Sequence, residues 1–257
     1  MQGPRAAGLL AERYGSGDRP IQPAPATPLL QRLTGALREF GLFEGCLYLA
    51  SGLLDRISRG RCRLVRYHIV AQPVPRPAPP PPNASLAVRL VAAGDPVTGQ
   101  FPRERAVIAR RFADGAECLV AESRGRFAGF LWIARRHYEE DEVRCRYELR
   151  DPGQCAWDFD VHVEPAFRLS RAFARLWEGA NIHLAAGGVR WSLSRISAFN
   201  PGSLAAHRRL GIRRLASATF LVAGGLQLSL FSTAPFVHFG WSPHTRPILR
   251  LHPPAAS

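Results

Sequence analysis

The stretch AWDFDVHVEPAFRLSRAF, residues 156–173, decides how this chain is read. From Ala156 to Val163 the side chains alternate: Trp157, Phe159, Val161 and Val163 on one side, Asp158, Asp160 and His162 on the other. A period of two marks a half-buried strand. Pro165 carries no N–H for a ladder and ends it. Over residues 168–184 the apolar positions Leu169, Phe173, Leu176, Trp177 and Ala180 recur at helical spacing, and Gly187 and Gly188 stop that helix. Residues 189–199 (VRWSLSRISAF) read as a second strand. Strand, helix and strand make a βαβ unit or a splayed pair. The unit closes on NPGSLAAHRRLGI, residues 200–212, where Asn200 caps a short helix.

Working outward, residues 117–122 and 127–134 are apolar runs joined by Ser123, Arg124, Gly125 and Arg126, which signals a hairpin. Residues 85–92 read as a strand and 101–112 as an amphipathic helix with Val107, Ile108 and Phe112 inward. Residues 135–154 are polar, with a short strand near 143–149. Their acidic run Glu139, Glu140, Asp141, Glu142 is either an attractor for a cationic amine or a solvated loop. Beyond the central unit, 214–223 and 226–232 form a hairpin across Gly224 and Gly225, and the tail at 233–257 folds back as a strand near 247–251. The sum is an α+β fold: a mixed, mostly antiparallel central sheet flanked by helices.

The N-terminal part differs in composition. Residues 1–26 are rich in Gly, Pro, Ala and Arg and read as a disordered tail. Residues 27–72 read as a helical extension. One helix starts at Thr27 and Pro28 and carries Leu29, Leu30, Leu33, Leu37 and Phe40; a second spans about 43–58; a strand follows at 64–72. The helical hairpin either packs on the main domain or makes a peripheral contact with an anionic membrane, supported by Arg56, Arg59, Arg61, Arg63 and Arg66. The Pro-rich residues 73–83 read as a linker to a domain at 84–232.

The formal charge is +14, and every one of the 34 basic residues is arginine. Such a surface attracts anions, phosphates above all. No nucleic-acid module is recognisable, so specific nucleic-acid binding is not expected. The five cysteines are scattered with no Cys-x-x-Cys pair, which predicts neither a metal site nor a disulfide scaffold and suits a reducing cytoplasm. The N-terminus lacks a signal-peptide core.

The order of these pieces resembles the GNAT superfamily of acyl-CoA N-acyltransferases. The resemblance rests on Val163, Pro165 and Arg168, then on Asn200, Ser203, His207, Leu210, Gly211 and Ile212, and covers roughly residues 86–231. It implies a GNAT-like fold with an N-terminal helical extension, and acetyl-CoA or another acyl-CoA as cosubstrate. The family's phosphate-binding pattern falls on Arg168 to Phe173, with Arg171 and Phe173 at positions the family keeps small. There Arg168, Ser170 and Arg171 would hold phosphate. The backbone of Val161 and Val163, with the side chains of Asn200 and Ser203, would hold the pantetheine arm. His207 stands where the family often has a tyrosine and would protonate the leaving thiolate. Asp160 first and Asp158 second are candidates for the base. The acceptor would be a small-molecule or peptide amine. Two alternatives stay open: a catalytically inactive GNAT-like domain that binds acyl-CoA or a protein partner, and a peripheral membrane protein.

Overall fold

Eighteen segments of regular structure take shape in the computed structural model, which describes residues 34, 35, 38, 40–75 and 86–255. The expected tail at 1–26, most of the first expected helix, residues 76–83 of the Pro-rich linker and residues 84–85 after it lie outside the described residues. In chain order the helices are α1 (Leu42–Ser58), α2 (Arg105–Ala113), α3 (Ala172–Ala186) and α4 (Pro201–Arg208). The first six strands are β1 (Cys62–Pro73), β2 (Leu86–Val91), β3 (Glu117–Ser123), β4 (Arg126–Ala134), β5 (His137–Glu139) and β6 (Arg146–Leu149). The rest are β7 (Cys155–Val163), β8 (Trp191–Ser197), β9 (Arg213–Ala223), β10 (Leu226–Phe231), β11 (Val237–Gly240) and β12 (Ile248–Leu251). Two short 3-10 turns complete the set, at Pro96–Gln100 and Pro165–Phe167.

Nine strands pair in the order β11-β10-β9-β1-β8-β7-β4-β3-β2, and β12-β6-β5 form a small second sheet. All neighbours in the large sheet are antiparallel except β7 and β8. The expected hairpins β3–β4 and β9–β10 are present. The tail strand is also found, and as β12 it pairs parallel with β6. β1, expected ahead of a linker, lies in the middle of the large sheet between β8 and β9. The N-terminal segment and the later strands therefore share one sheet.

Two apolar clusters sandwich that sheet. Tyr67, Phe130, Trp132, Trp157, Leu193 and Phe220 meet Ile108 of α2 and Tyr147 of the small sheet on one face. Leu131, Ile133, Val161 and Val163 meet Phe173, Leu176, Ala180 and Leu184 of α3 on the other. Each such large side chain is worth about 1.5–3 kcal/mol when fully buried.

The alternation read from the sequence breaks inside β7. Phe130 stands opposite His162 and Trp132 opposite Phe159, so Asp160 and Val161 together oppose Leu131. This is a β-bulge, and Asp160 takes the left-handed φ of 45° that it requires. The bulge shifts the phase of the strand. Trp157 and Phe159 fall in the first cluster, Val161 and Val163 in the second. The four do not share a face as the simple alternation predicts, and Asp158 and Asp160 point to opposite sides of the sheet.

Candidate functional site

The parallel ladder between β7 and β8 is short. It runs from Cys155 opposite Trp191 to Trp157 opposite Leu193 and no further. Beyond it the two strands part and leave a fork. The Glu164 N–H bonds the Ala128 carbonyl at 2.9 Å, on the β4 side. Backbone groups alternate in direction along a strand, so those of Val163 and Val161 face the fork, where no strand of the described residues pairs with them.

Asp158 sits at the base of the fork. It is 5% exposed, and its Oδ2 accepts a hydrogen bond from Ser192 Oγ of β8 at 2.6 Å. Burial pushes its pKa up to about 7, against the opposing hydrogen bonds from Ser192, its own backbone and Ser194. Nothing in the sequence singled out Ser192 and Ser194. The available signal was two serines two residues apart in an otherwise apolar strand.

Asp160 is held differently. Arg103 Nε donates to its Oδ2 at 2.9 Å, and the guanidiniums of Arg103 and Arg111 form two further short contacts with its carboxylate. Burial alone would raise its pKa, but the hydrogen bonds and charge of the two arginines outweigh burial and lower it. A carboxylate so paired is a permanent anion with weak affinity for a proton. Arg111 in turn lies over the rings of Trp132 and Phe159, at 5.3 and 5.1 Å.

The segment after β7 is a 3-10 turn followed by irregular turn through residues 168–171, and α3 begins only at Ala172. The helix expected from Arg168 is thus delayed by one turn. Ser170 Oγ donates to the Phe167 carbonyl at 2.7 Å and accepts from Ala172 N–H at 3.1 Å, so its side chain serves the turn itself. Arg171 is exposed and lies 3.5 Å from Glu178. Arg168 is half-buried, with an enclosed Nε that has no hydrogen-bond partner among the described residues. A guanidinium N–H orphaned at a strand-to-helix turn suits a phosphate oxygen, which accepts charge-assisted hydrogen bonds.

Past β8, Asn200 caps α4 by accepting from Ser203 N–H at 2.9 Å. Ser203 and His207 are buried, with Ser203 Oγ 3.4 Å from His207 Nδ1. Nδ1 also lies 2.7 Å from the Ser203 carbonyl, a geometry in which Nδ1–H donates. Burial lowers the His207 pKa against that bond, so the ring is neutral near pH 7. The arrangement gives Asn200, Ser203 and His207 a local task, shaping the first turns of α4 beside the fork.

The acidic run is not an open attractor. Glu140 is paired with Arg195 at 2.7 Å; Asp141 lies 3.3 Å from Arg110 and 3.2 Å from Arg111; Glu139 contacts Arg246; and Glu142 accepts from the Tyr67 hydroxyl. A cleft of about 310 Å³ beside the run is lined by both signs of charge, including Arg63, Arg144 and Arg246. It lies on the Arg195 side of β8, whereas Asp158 and Ser192 occupy the other.

No protein-family profile and no curated protein matches the sequence. Among solved structures, the chain is similar to a conserved protein of unknown function from Staphylococcus epidermidis, at 12% identity, 67% coverage of each chain and a TM-score of 0.43. It is also similar to a Novosphingobium aromaticivorans protein named for the GNAT family of acetyltransferases, at 18% identity, 61% coverage of this chain, 63% of that one and a TM-score of 0.40. A GCN5-related N-acetyltransferase from Kribbella flavida shares 16% identity over 68% of this chain and 64% of its own, with a TM-score of 0.39. The chain thus spans just under two thirds of the last two proteins.

Proposed function

We propose that this protein is an acyl-CoA-dependent N-acyltransferase of the GNAT type, with the fork between β7 and β8 as the place where acyl-CoA and amine meet. The observation that carries the reading is the fork itself: a parallel pair that parts after Trp157, with a carboxylate of pKa about 7 enclosed at its base. Acyl-CoA would supply an activated thioester. The backbone of Val161 and Val163 would bond the pantetheine amides, and Arg168 would pair with phosphate.

Asp158, rather than Asp160, is the group assigned to take the proton from the attacking amine. A base works best with a pKa near the working pH, and Asp160 is already committed to two guanidiniums. The leaving thiolate is a moderately weak base and can take its proton from water, so His207 is not assigned as the acid. The acceptor is a small-molecule or peptide amine. A binding module without turnover is the second reading, favoured by the large residues Arg171 in the turn and Phe173 in the first turn of α3.

The two readings part on Asp158→Asn. Its carboxamide keeps an acceptor for Ser192 but cannot take a proton. Acetylation of an amine panel should fall by roughly 10²–10⁴-fold, with acetyl-CoA affinity nearly unchanged. The wild-type rate should rise with pH through about 7, following Asp158 ionisation. Turnover that survives the substitution would remove Asp158 from the role.

A further inference from the structure

A helix lying on a protein surface normally turns a polar face to water. α1 does not. It rests on β1 through Glu44, which bonds Arg66 Nε at 2.6 Å, and through Ser51 Oγ, which donates to the Leu64 carbonyl at 2.9 Å. On the opposite side Cys46, Ala50, Leu53 and Ile57 are exposed at alternating four- and three-residue spacing, with Leu53 60% and Ile57 73% exposed. The Phe40 ring packs at a tilt on Tyr48 at 4.9 Å, and Tyr48 packs on Phe199, just past β8, at 5.7 Å.

The apolar surface continues onto the sheet. Arg66 and Thr219 stand opposite each other on β1 and β9 and hydrogen-bond, so Thr219 lies on the face that carries α1. Leu221, two residues on, shares that face. By register so do Leu226 and Phe239, and Trp241 follows two residues after Phe239. Their exposures run from 40% at Leu221 to 69% at Trp241. These parts converge at one end of the molecule. The Gly224 N–H bonds the Arg61 carbonyl at 3.2 Å, which sets the β9–β10 turn beside the end of α1. Gln227 pairs with Gly240, which brings Trp241 to the same turn.

The same end carries Arg56, Arg59 and Arg61, all exposed and none paired with a carboxylate among the described residues. Arg63 and Arg66, adjacent in sequence, are engaged internally, with the Glu142 carbonyl at 3.2 Å and with Glu44. Exposed aliphatic and aromatic residues ringed by unpaired arginines suit a bilayer interface, with the apolar groups among acyl chains and the guanidiniums at phosphates. A second copy of the chain would bring two sets of these arginines together, which charge opposes. No helix among the described residues is long and apolar enough to cross a membrane, so the contact is peripheral.

We infer that the end formed by the C-terminus of α1, the β9–β10 turn and Trp241 docks this protein on an anionic lipid surface. The inference stands apart from the acyl-transfer reading.

Sedimentation of the full chain with phosphatidylcholine vesicles, and with vesicles that also contain phosphatidylserine, tests it. The chain should pellet with the second and not with the first. Trp241→Ser and Ile57→Ser remove exposed apolar groups, so their melting temperatures should match wild type while partitioning falls. Arg59→Glu combined with Arg61→Glu should lower partitioning roughly tenfold or more. Arg105→Glu combined with Arg124→Glu makes the same charge change on exposed positions elsewhere and should leave binding close to wild type. Equal binding to both vesicles would overturn the inference, as would an equal loss from the Arg105 and Arg124 pair, which would mean attraction by net charge alone. Full partitioning by Trp241→Ser would also overturn it. So would a dimer in vesicle-free solution that Trp241→Ser disrupts, because a second copy would then cover the surface.

Discussion

Asp158 and Asp160 are two residues apart on one strand, yet they have opposite properties. Asp158 is enclosed with hydroxyl partners and its pKa rises to about 7. Asp160 is enclosed with two guanidiniums and its pKa falls. The consequences for stability have opposite signs. A carboxyl with a raised folded pKa favours the folded state only while protonated. Asp158 therefore withdraws stability as pH climbs from its ordinary value, 3.8, to about 7, by at most about 1.4 kcal/mol per pH unit. Asp158→Asn should raise the melting temperature relative to wild type, by an amount that grows across that window. A difference that stays flat with pH would mean Asp158 is ionised throughout. Asp160, with a lowered pKa, contributes stability above the ordinary carboxylate value and loses it as pH falls below. Asp160→Ala leaves Arg103 and Arg111 without their shared anion and should cost about 3–5 kcal/mol in denaturant unfolding; a cost under about 1 kcal/mol would show that the arginines find other partners. The sequence could not separate these two residues. In a period of two they look equivalent, and only the bulge, which Asp tolerates at positive φ, sends them to different faces.

At the scale of elements, local pairings were readable and distant ones were not. The β3–β4 and β9–β10 hairpins follow from Gly-bearing links between apolar runs. β1 has the same alternating pattern, but its partners β8 and β9 lie more than a hundred residues away, and the Pro-rich segment after it reads as a boundary. The helix after β7 was readable as a helix but not its start, because Ser170 and the 3-10 turn hold residues 165–171 out of it. The bulge also explains Gly129 on β4. A Cβ there would collide with the His162 carbonyl oxygen of the bulged strand. Gly129→Ala should therefore destabilise the fold by about 1–3 kcal/mol, as forced overpacking does. Unchanged stability would mean that β7 shifts freely and does not hold Asp158 in place.

At the scale of the whole molecule, charge is sorted rather than spread. Each member of the acidic run Glu139 to Glu142 is tied to an arginine or a tyrosine of another element, so the run clamps the loop onto the sheet. From sequence alone that run was equally an amine attractor or a solvated loop, because its partners span residues 67 to 246. The arginines left over concentrate the remaining positive charge. Some ring the apolar end with Trp241. Arg168, with its orphaned Nε, stands at the turn before α3. That arginine links the fold to its proposed chemistry, since the turn offers phosphate no glycine cradle and must hold it through a side chain.

The most direct test is calorimetric titration of the full chain with acetyl-CoA, with Arg168→Glu alongside. The reading predicts a dissociation constant on the order of micromolar and a loss of at least about tenfold in the variant, the worth of one charge-assisted hydrogen bond. No measurable binding at high micromolar acetyl-CoA, or equal binding by the variant, would contradict it.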